Sequence, residues 1–434
     1  MNNEEVIKLN REYSLFSWSV QGAIHPLPME RGEGIYFYDA EGNRYIDLSA
    51  QLVNCNIGHQ HPKAIVALKE QADILTFAAP CFSNSKKGEC AKKIIGFLPD
   101  SFGKVFFTNA GADANENAIK IARYYSGRFK LFSRYRSYHG ATAGALALTG
   151  DPRRVDAEPL IPGVVKFLDP YCYRCPFGQK EDSCQFECAK HFEELVRYEG
   201  PDKIAAVFLE TITGTNGIIV PPKGYLPRIR KICDDYGILM VCDEVMAGFG
   251  RTGKIFAFEH FGIEPDIVTM AKGLTSGYVP LGAVAVRKEI AEYFENKKLS
   301  IGLTYSGHTL SVATACRVMD IYQEEDLLKN STILGAYAKE QLIKLQDKHV
   351  SIGDVRGVGL FIGVEFVKNR GTKEMMDNAS MADFKGANMK DGIYHMTYNN
   401  LMNFAPPLVI TKEQIDEVIA TLDKNLVILD KACN

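Results

Sequence analysis

The chain has 434 residues, with 46% hydrophobic and 24% charged side chains and a formal net charge of -3. That balance excludes a disordered chain and a basic nucleic-acid-binding face, and it leaves a globular protein of two or three domains acting on small molecules. The start, MNNEEVIKLNREYSLF, lacks the basic and apolar segments of a secretion signal, and no stretch approaches the ~20 apolar residues of a membrane span, so a cytoplasmic protein is expected.

In chain order, residues 32–51 (GEGIYFYDAEGNRYIDLSAQ) alternate around an AEGN turn, as in a β-hairpin. Apolar runs then end in a glycine- or acid-bearing turn and give way to helical patterns: KVFFTNAG, IAAVFLET, GILMVCDE, DIVTMAKG and GAVAV. Continuous apolar strands alternating with helices mark an α/β fold whose mostly parallel sheet is covered on both faces. Residues 311–346 read as one long amphipathic helix. Two short β-like runs follow (VRGVGLFIGVEFV and LMNFAPPLVIT), then a last helix with Thr411 as N-cap and Gln414 completing a capping box. The expected division is an N-terminal segment 1–59 packing on a small domain, a large α/β domain 60–305, and a small α+β domain 306–434.

Ligands of open α/β sheets gather at the carboxyl ends of the strands. Three polar residues sit there: Glu210, Asp243 and Lys272. TNAGADANENAIKIAR leaves a strand, turns through Ala110, Gly111 and Ala112, and enters a helix, so free N–H groups and the helix dipole could hold a phosphate. The competing reading is a plain cap at Asn109 or Asp113. This turn matches neither G-x-G-x-x-G nor the Walker A pattern. Asp243 closes an apolar run and needs a cationic partner if it stays charged, although it could instead cap the next turn. Lys272 could snorkel to solvent, but a desolvated lysine amine is nucleophilic and forms imines with aldehydes. An anion cradle, a buried acid and a buried lysine together are what pyridoxal 5'-phosphate requires.

VCDEVMAGFGRTG, DIVTMAKGL, NAGADANENAIKIAR, SYHGAT, TYSGHTL and FAPPLVIT stand in the order and spacing of a class III aminotransferase. The chain resembles that family, of pyridoxal-phosphate fold type I, from about residue 30 to its C-terminus. The resemblance implies a seven-stranded large-domain sheet. It implies that Lys272 forms the imine with the cofactor and then moves the substrate proton, and that Asp243 holds the pyridine nitrogen protonated. Gly111 and Ala112 would bind the phosphate, Tyr138 and Val245 would cover the two ring faces, and Glu210 would stand near O3'. His139 and Arg251 would have supporting roles. Thr304 would reach the phosphate of a neighbouring subunit, which implies a homodimer or homotetramer with shared sites.

Two positions depart from the members that take 2-amino acids. Asn403 stands where those members carry a carboxylate-gripping arginine, and Thr215 stands where a glutamate pairs with that arginine. An amide does not replace a bidentate arginine fork. The expected donor is therefore a terminal amine such as taurine or β-alanine, and the expected acceptor is 2-oxoglutarate or pyruvate. SLFSWSVQG, LSAQLVNCNIGHQHP and YCYRCPFG are similar to the taurine and related ω-amino-acid transaminases. Trp18, Gln51, Tyr138, Arg136 and Asn403 are the candidate substrate residues. An aminomutase on the same scaffold, and a 4-aminobutyrate- or ornithine-type transaminase, are the alternatives.

The eleven cysteines read as reduced thiols. Cys172, Cys175, Cys184 and Cys188 follow a C-x2-C-x8-C-x3-C pattern that could hold a structural zinc, with free thiols as the preferred reading.

Overall fold

The computed structural model describes residues 1–180 and 183–433. Seven strands form the central sheet: β1 (Phe102–Thr108), β2 (Lys130–Arg134), β3 (Val164–Phe167), β4 (Ile204–Glu210), β5 (Leu239–Asp243), β6 (Ile267–Met270) and β7 (Gly282–Arg287). Their spatial order is β1-β7-β6-β5-β4-β2-β3. The pairs from β3 to β6 are parallel, whereas β7 runs antiparallel to both β6 and β1. β4, β5 and β6 are buried along their whole length, which accounts for their unbroken apolar sequences.

Register decides what meets at the strand ends. Glu210 pairs with Asp243, and Asp243 pairs with Thr269, so the two carboxylates finish side by side. Lys272 follows three residues after Thr269. On the other side of β6, Gly282 of β7 pairs with Thr108, which brings the turn after β1 to the same edge.

That turn opens helix α1 (Gly111–Ser126), which buries Ala114, Ala118, Ile119, Ile121 and Ala122. It ends at Gly127, whose φ of 68° is the left-handed geometry of a glycine C-cap. Residues 311–346 are not one helix. Asp326 adopts φ 50° and separates α2 (Thr309–Glu324) from α3 (Leu327–Lys348), because a left-handed residue cannot continue a right-handed helix. A second sheet joins Ile352–Gly357, Ile362–Asn369, Leu401–Phe404 and Thr397–Tyr398. The hairpin Tyr36–Tyr38 and Arg44–Asp47 is extended in parallel by Ile393–Tyr394. The final helix α4 (Lys412–Asp430) has Thr411 and Gln414 in a reciprocal capping box. Among the described residues, no helix is long and apolar enough to cross a membrane.

Candidate active site

The carboxyl edge of the sheet opens into a cavity of about 450 Å³ lined by Asn109, Gly111, Ala112, Tyr138, His139, Glu210, Asp243, Val245 and Lys272, among others. Every cofactor-site residue singled out above lines this one cavity except Thr304, which is exposed on the segment before α2.

Lys272 adopts φ 42°, an uncommon backbone state for a residue with a Cβ, and one that collects at functional sites. Its amine forms no hydrogen bond or ion pair with a described residue. Burial lowers its pKa. The nearby charges of Asp243 and Glu210 oppose that shift, and Arg153 adds to it.

Asp243 is held at three points. Its Oδ2 accepts from Asn115 Nδ2 at 2.8 Å and faces His139 Nδ1 at 2.8 Å, while Oδ1 accepts from the Val245 amide at 3.0 Å. Asn115 is in turn fixed by Thr269 Oγ1, which donates to its Oδ1 at 2.9 Å. Neither Asn115 nor Thr269 stood out in the sequence. The available signal was an amide on the alanine-rich buried face of α1. His139 Nε2 is buried without a partner among the described residues.

Glu210 accepts from the Tyr138 amide at 2.9 Å and the Gly214 amide at 2.7 Å. Burial still raises its pKa, with His139 lowering it and Asp243 raising it further.

The N-cap of α1 is Ala110, which has no side chain able to cap, so neither Asn109 nor Asp113 fills that role. The first-turn N–H groups are left to the cavity. A Cβ on Gly111 would stand 2.8 Å from a Val245 methyl, so the cradle and the apolar cavity wall meet only because that residue is glycine. An uncapped helix N-terminus, a tethered carboxylate and an unpartnered amine in one cavity fit the donor set that pyridoxal 5'-phosphate needs.

The substrate candidates are divided. Tyr138 lines the cavity, and Trp18 meets its ring edge-on at 6.5 Å while remaining 61% exposed. Gln51 instead turns to Asp47, to which its Nε2 donates at 2.8 Å. Arg136 lies exposed over the Tyr171 ring at 4.8 Å, outside the cavity. Asn403 is buried in its strand and does not line the cavity either. Arg153, in the 3-10 helix Pro152–Ala157, does not itself line the cavity but sits directly behind two residues that do, Tyr138 and Thr215. Its guanidinium stacks on Tyr138 at 3.8 Å, and Nη2 donates to the hydroxyl of cavity-lining Thr215 at 2.7 Å. Arg153 follows no strand, so no apolar run in the sequence points to it.

The four clustered cysteines line a separate cavity of about 160 Å³. All are free of disulfides, and burial pushes the Cys188 thiol up to about 12. Among the described residues, no group of three or more His, Cys, Asp or Glu is arranged to hold a metal ion.

The class III aminotransferase family model matches residues 18–426. The chain belongs to the class III aminotransferases. Enzymes of this family depend on pyridoxal 5'-phosphate, which is accordingly the cofactor here. The chain is 43% identical to the solved taurine:2-oxoglutarate aminotransferase of Bifidobacterium kashiwanohense, in complex with PLP and glutamate, with a TM-score of 0.96 over 99% of both chains. It is 35% identical to a taurine–pyruvate aminotransferase of Bilophila wadsworthia, over 97% of this chain and 96% of that one. It is also 37% identical to a leucine/methionine racemase of Thermococcus litoralis, over 98% of this chain and 95% of that one. This aminotransferase fold therefore carries more than one reaction among its relatives.

Proposed function

We propose that this aminotransferase moves the amino group of a terminal-amine acid, taurine or a similar ω-amino acid, to a 2-oxo acid such as 2-oxoglutarate or pyruvate. The supporting observation is the pairing of an intact Lys272–Asp243–Gly111 cavity with an acid-end anchor, Arg153, that departs from the arrangement for 2-amino acids. The bound cofactor supplies an aldehyde for the amine and an electron sink for the substrate carbanion. Lys272 Nζ, whose pKa burial lowers, would provide the nucleophile for that aldehyde and then the base that carries a proton from the substrate carbon. Asp243, oriented by Asn115 and His139, would be the carboxylate that faces the cofactor's ring nitrogen and favours its protonated form. The first-turn amides of Gly111 and Ala112 would hold the phosphate, and Tyr138 and Val245 would confine the ring. Glu210 would stand near its hydroxyl. Arg153 meets the sulfonate or carboxylate of donor and acceptor in turn, and Trp18 closes the outer wall. Thr304 belongs to the same reading as a residue offered to a second copy's phosphate, in a homodimer or a larger assembly.

The relative named as a racemase supports a second reading, amine chemistry that returns to the same carbon skeleton. One experiment separates the two. The holoenzyme is mixed with taurine, β-alanine, 4-aminobutyrate, ornithine or L-leucine and no oxo acid, and cofactor absorbance and product are followed. The transaminase reading expects taurine or β-alanine to bleach the band with one product per site. Continued turnover of leucine without an oxo acid, and no reaction with taurine, would overturn it.

A further inference from the structure

Arg153 stands behind cavity-lining Tyr138 and Thr215, and its guanidinium is not free. Its Nε lies 3.1 Å from Asp151 Oδ1 and 3.0 Å from Oδ2, and Nη2 also donates to Oδ2. The Asp151 carboxylate is itself buried and fixed, because Oδ1 accepts from the Arg153 backbone amide at 3.0 Å and Oδ2 from Asn216 Nδ2 at 3.1 Å. The Nε–Nη2 edge is one of the two guanidinium edges that can grip a carboxylate with parallel hydrogen bonds, and Thr215 takes a further bond on Nη2. Only Nη1 has no partner among the described residues. The guanidinium plane is committed as well, since Tyr138 lies under it at 3.8 Å.

We propose that Asp151 is a specificity-determining residue that masks the Nε–Nη2 fork of Arg153 and offers substrates one nitrogen beside a compensating negative charge. This rests on the reading that Arg153 meets the acid group. An enzyme that alternates two acid-bearing substrates in one cavity must release each product before the next substrate enters. An anchor that held every anion equally tightly would lower KM without raising turnover. A single-point contact also accepts an oxygen of a tetrahedral sulfonate or a planar carboxylate alike, whereas a two-point fork favours the planar group.

The test measures binding of two amine-free anions, ethanesulfonate and glutarate, to the holoenzyme through the perturbation of cofactor absorbance. The proteins compared are wild type, Asp151→Asn, Asp151→Ser and Arg153→Met. Asn and Ser both preserve the N-cap that Asp151 provides to the turn Pro152–Ala157, so at least one variant should fold. Unmasking predicts that both Asp151 variants bind the anions about tenfold more tightly, glutarate gaining more than ethanesulfonate, with KM and kcat for the amino donor falling together. Unchanged or weaker anion binding in the Asp151 variants would make Asp151 a prop for Arg153 and overturn the proposal. Arg153→Met reports on the underlying reading separately. If it binds the anions as well as wild type, Arg153 is not the acid-end contact, whatever the Asp151 variants do.

Discussion

The role proposed for Lys272 rests on where its amine is kept. Burial disfavours the ammonium form, and although Asp243 and Glu210 pull the other way, the net pKa falls below the ordinary 10.5. The sign has a direct consequence: at any given pH the neutral, nucleophilic fraction exceeds that of an exposed lysine. Cofactor-stripped protein should recover its absorbance with added pyridoxal 5'-phosphate at a rate that rises with pH and levels off below 10.5. A midpoint at or above that value would show that the two carboxylates dominate. The residues that were legible at this scale were those for which the sequence forces a question, a lysine or an acid closing an apolar run. Asn115 escaped because its role arises from partners far away in sequence, and Arg153 because it closes no apolar run. Asn115 meets Asp243 across 128 positions and Thr269 across 154, and nothing in the local pattern of α1 specifies either partner.

At the scale of elements, α3 shows how closely the segments are fitted. A Cβ at Gly335 would stand 2.1 Å from the Gly359 carbonyl carbon, so this helix crosses the turn at Gly359 with backbone against backbone. Helix propensity alone would make Gly335→Ala stabilising by ~1 kcal/mol. The contact reverses that sign, and the substitution should cost on the order of 1–3 kcal/mol through overpacking, read as a lower Tm. An unchanged or raised Tm would mean that the turn can yield. The same level explains the break at Asp326. The periodicity of residues 311–346 is helical on both sides of it, and a single left-handed residue leaves that periodicity nearly intact. The strands of the central sheet were easier to read, since burial on both faces writes itself as an unbroken apolar run. β2 and β3 fell below that signal because KLFSR and VVKF carry polar residues near the sheet's edge.

For the whole molecule, Arg251 is the tie between segments that lie far apart in the chain. Its side chain is fully buried and donates to Asn56 Oδ1 at 2.6 Å, to the Leu360 carbonyl at 3.2 Å and to the Pro406 carbonyl. Burial brings its pKa down to about 10, so it remains a cation at neutral pH. Arg251→Met would leave three acceptors without their donor, at ~1–3 kcal/mol each. The expected outcome is a Tm lower by several degrees and easier proteolysis of the N-terminal segment. Wild-type stability in that variant would mean that the contact between these segments rests on apolar packing alone.

The reversal of β7 has a wider effect. Because that strand returns directly beside β6, the reactive amine, the wall formed by Thr275 to Leu281 and the seam against Thr108 belong to one short hairpin-like excursion, with no crossover helix between them. The proposed nucleophile and this wall thereby lie in one continuous stretch of chain. The groups proposed to choose among substrates, Trp18 and Arg153, lie on other segments, a turn near the N-terminus and the 3-10 helix Pro152–Ala157. A lineage built this way can exchange one amine for another, or a transfer for a racemisation, by editing its margins.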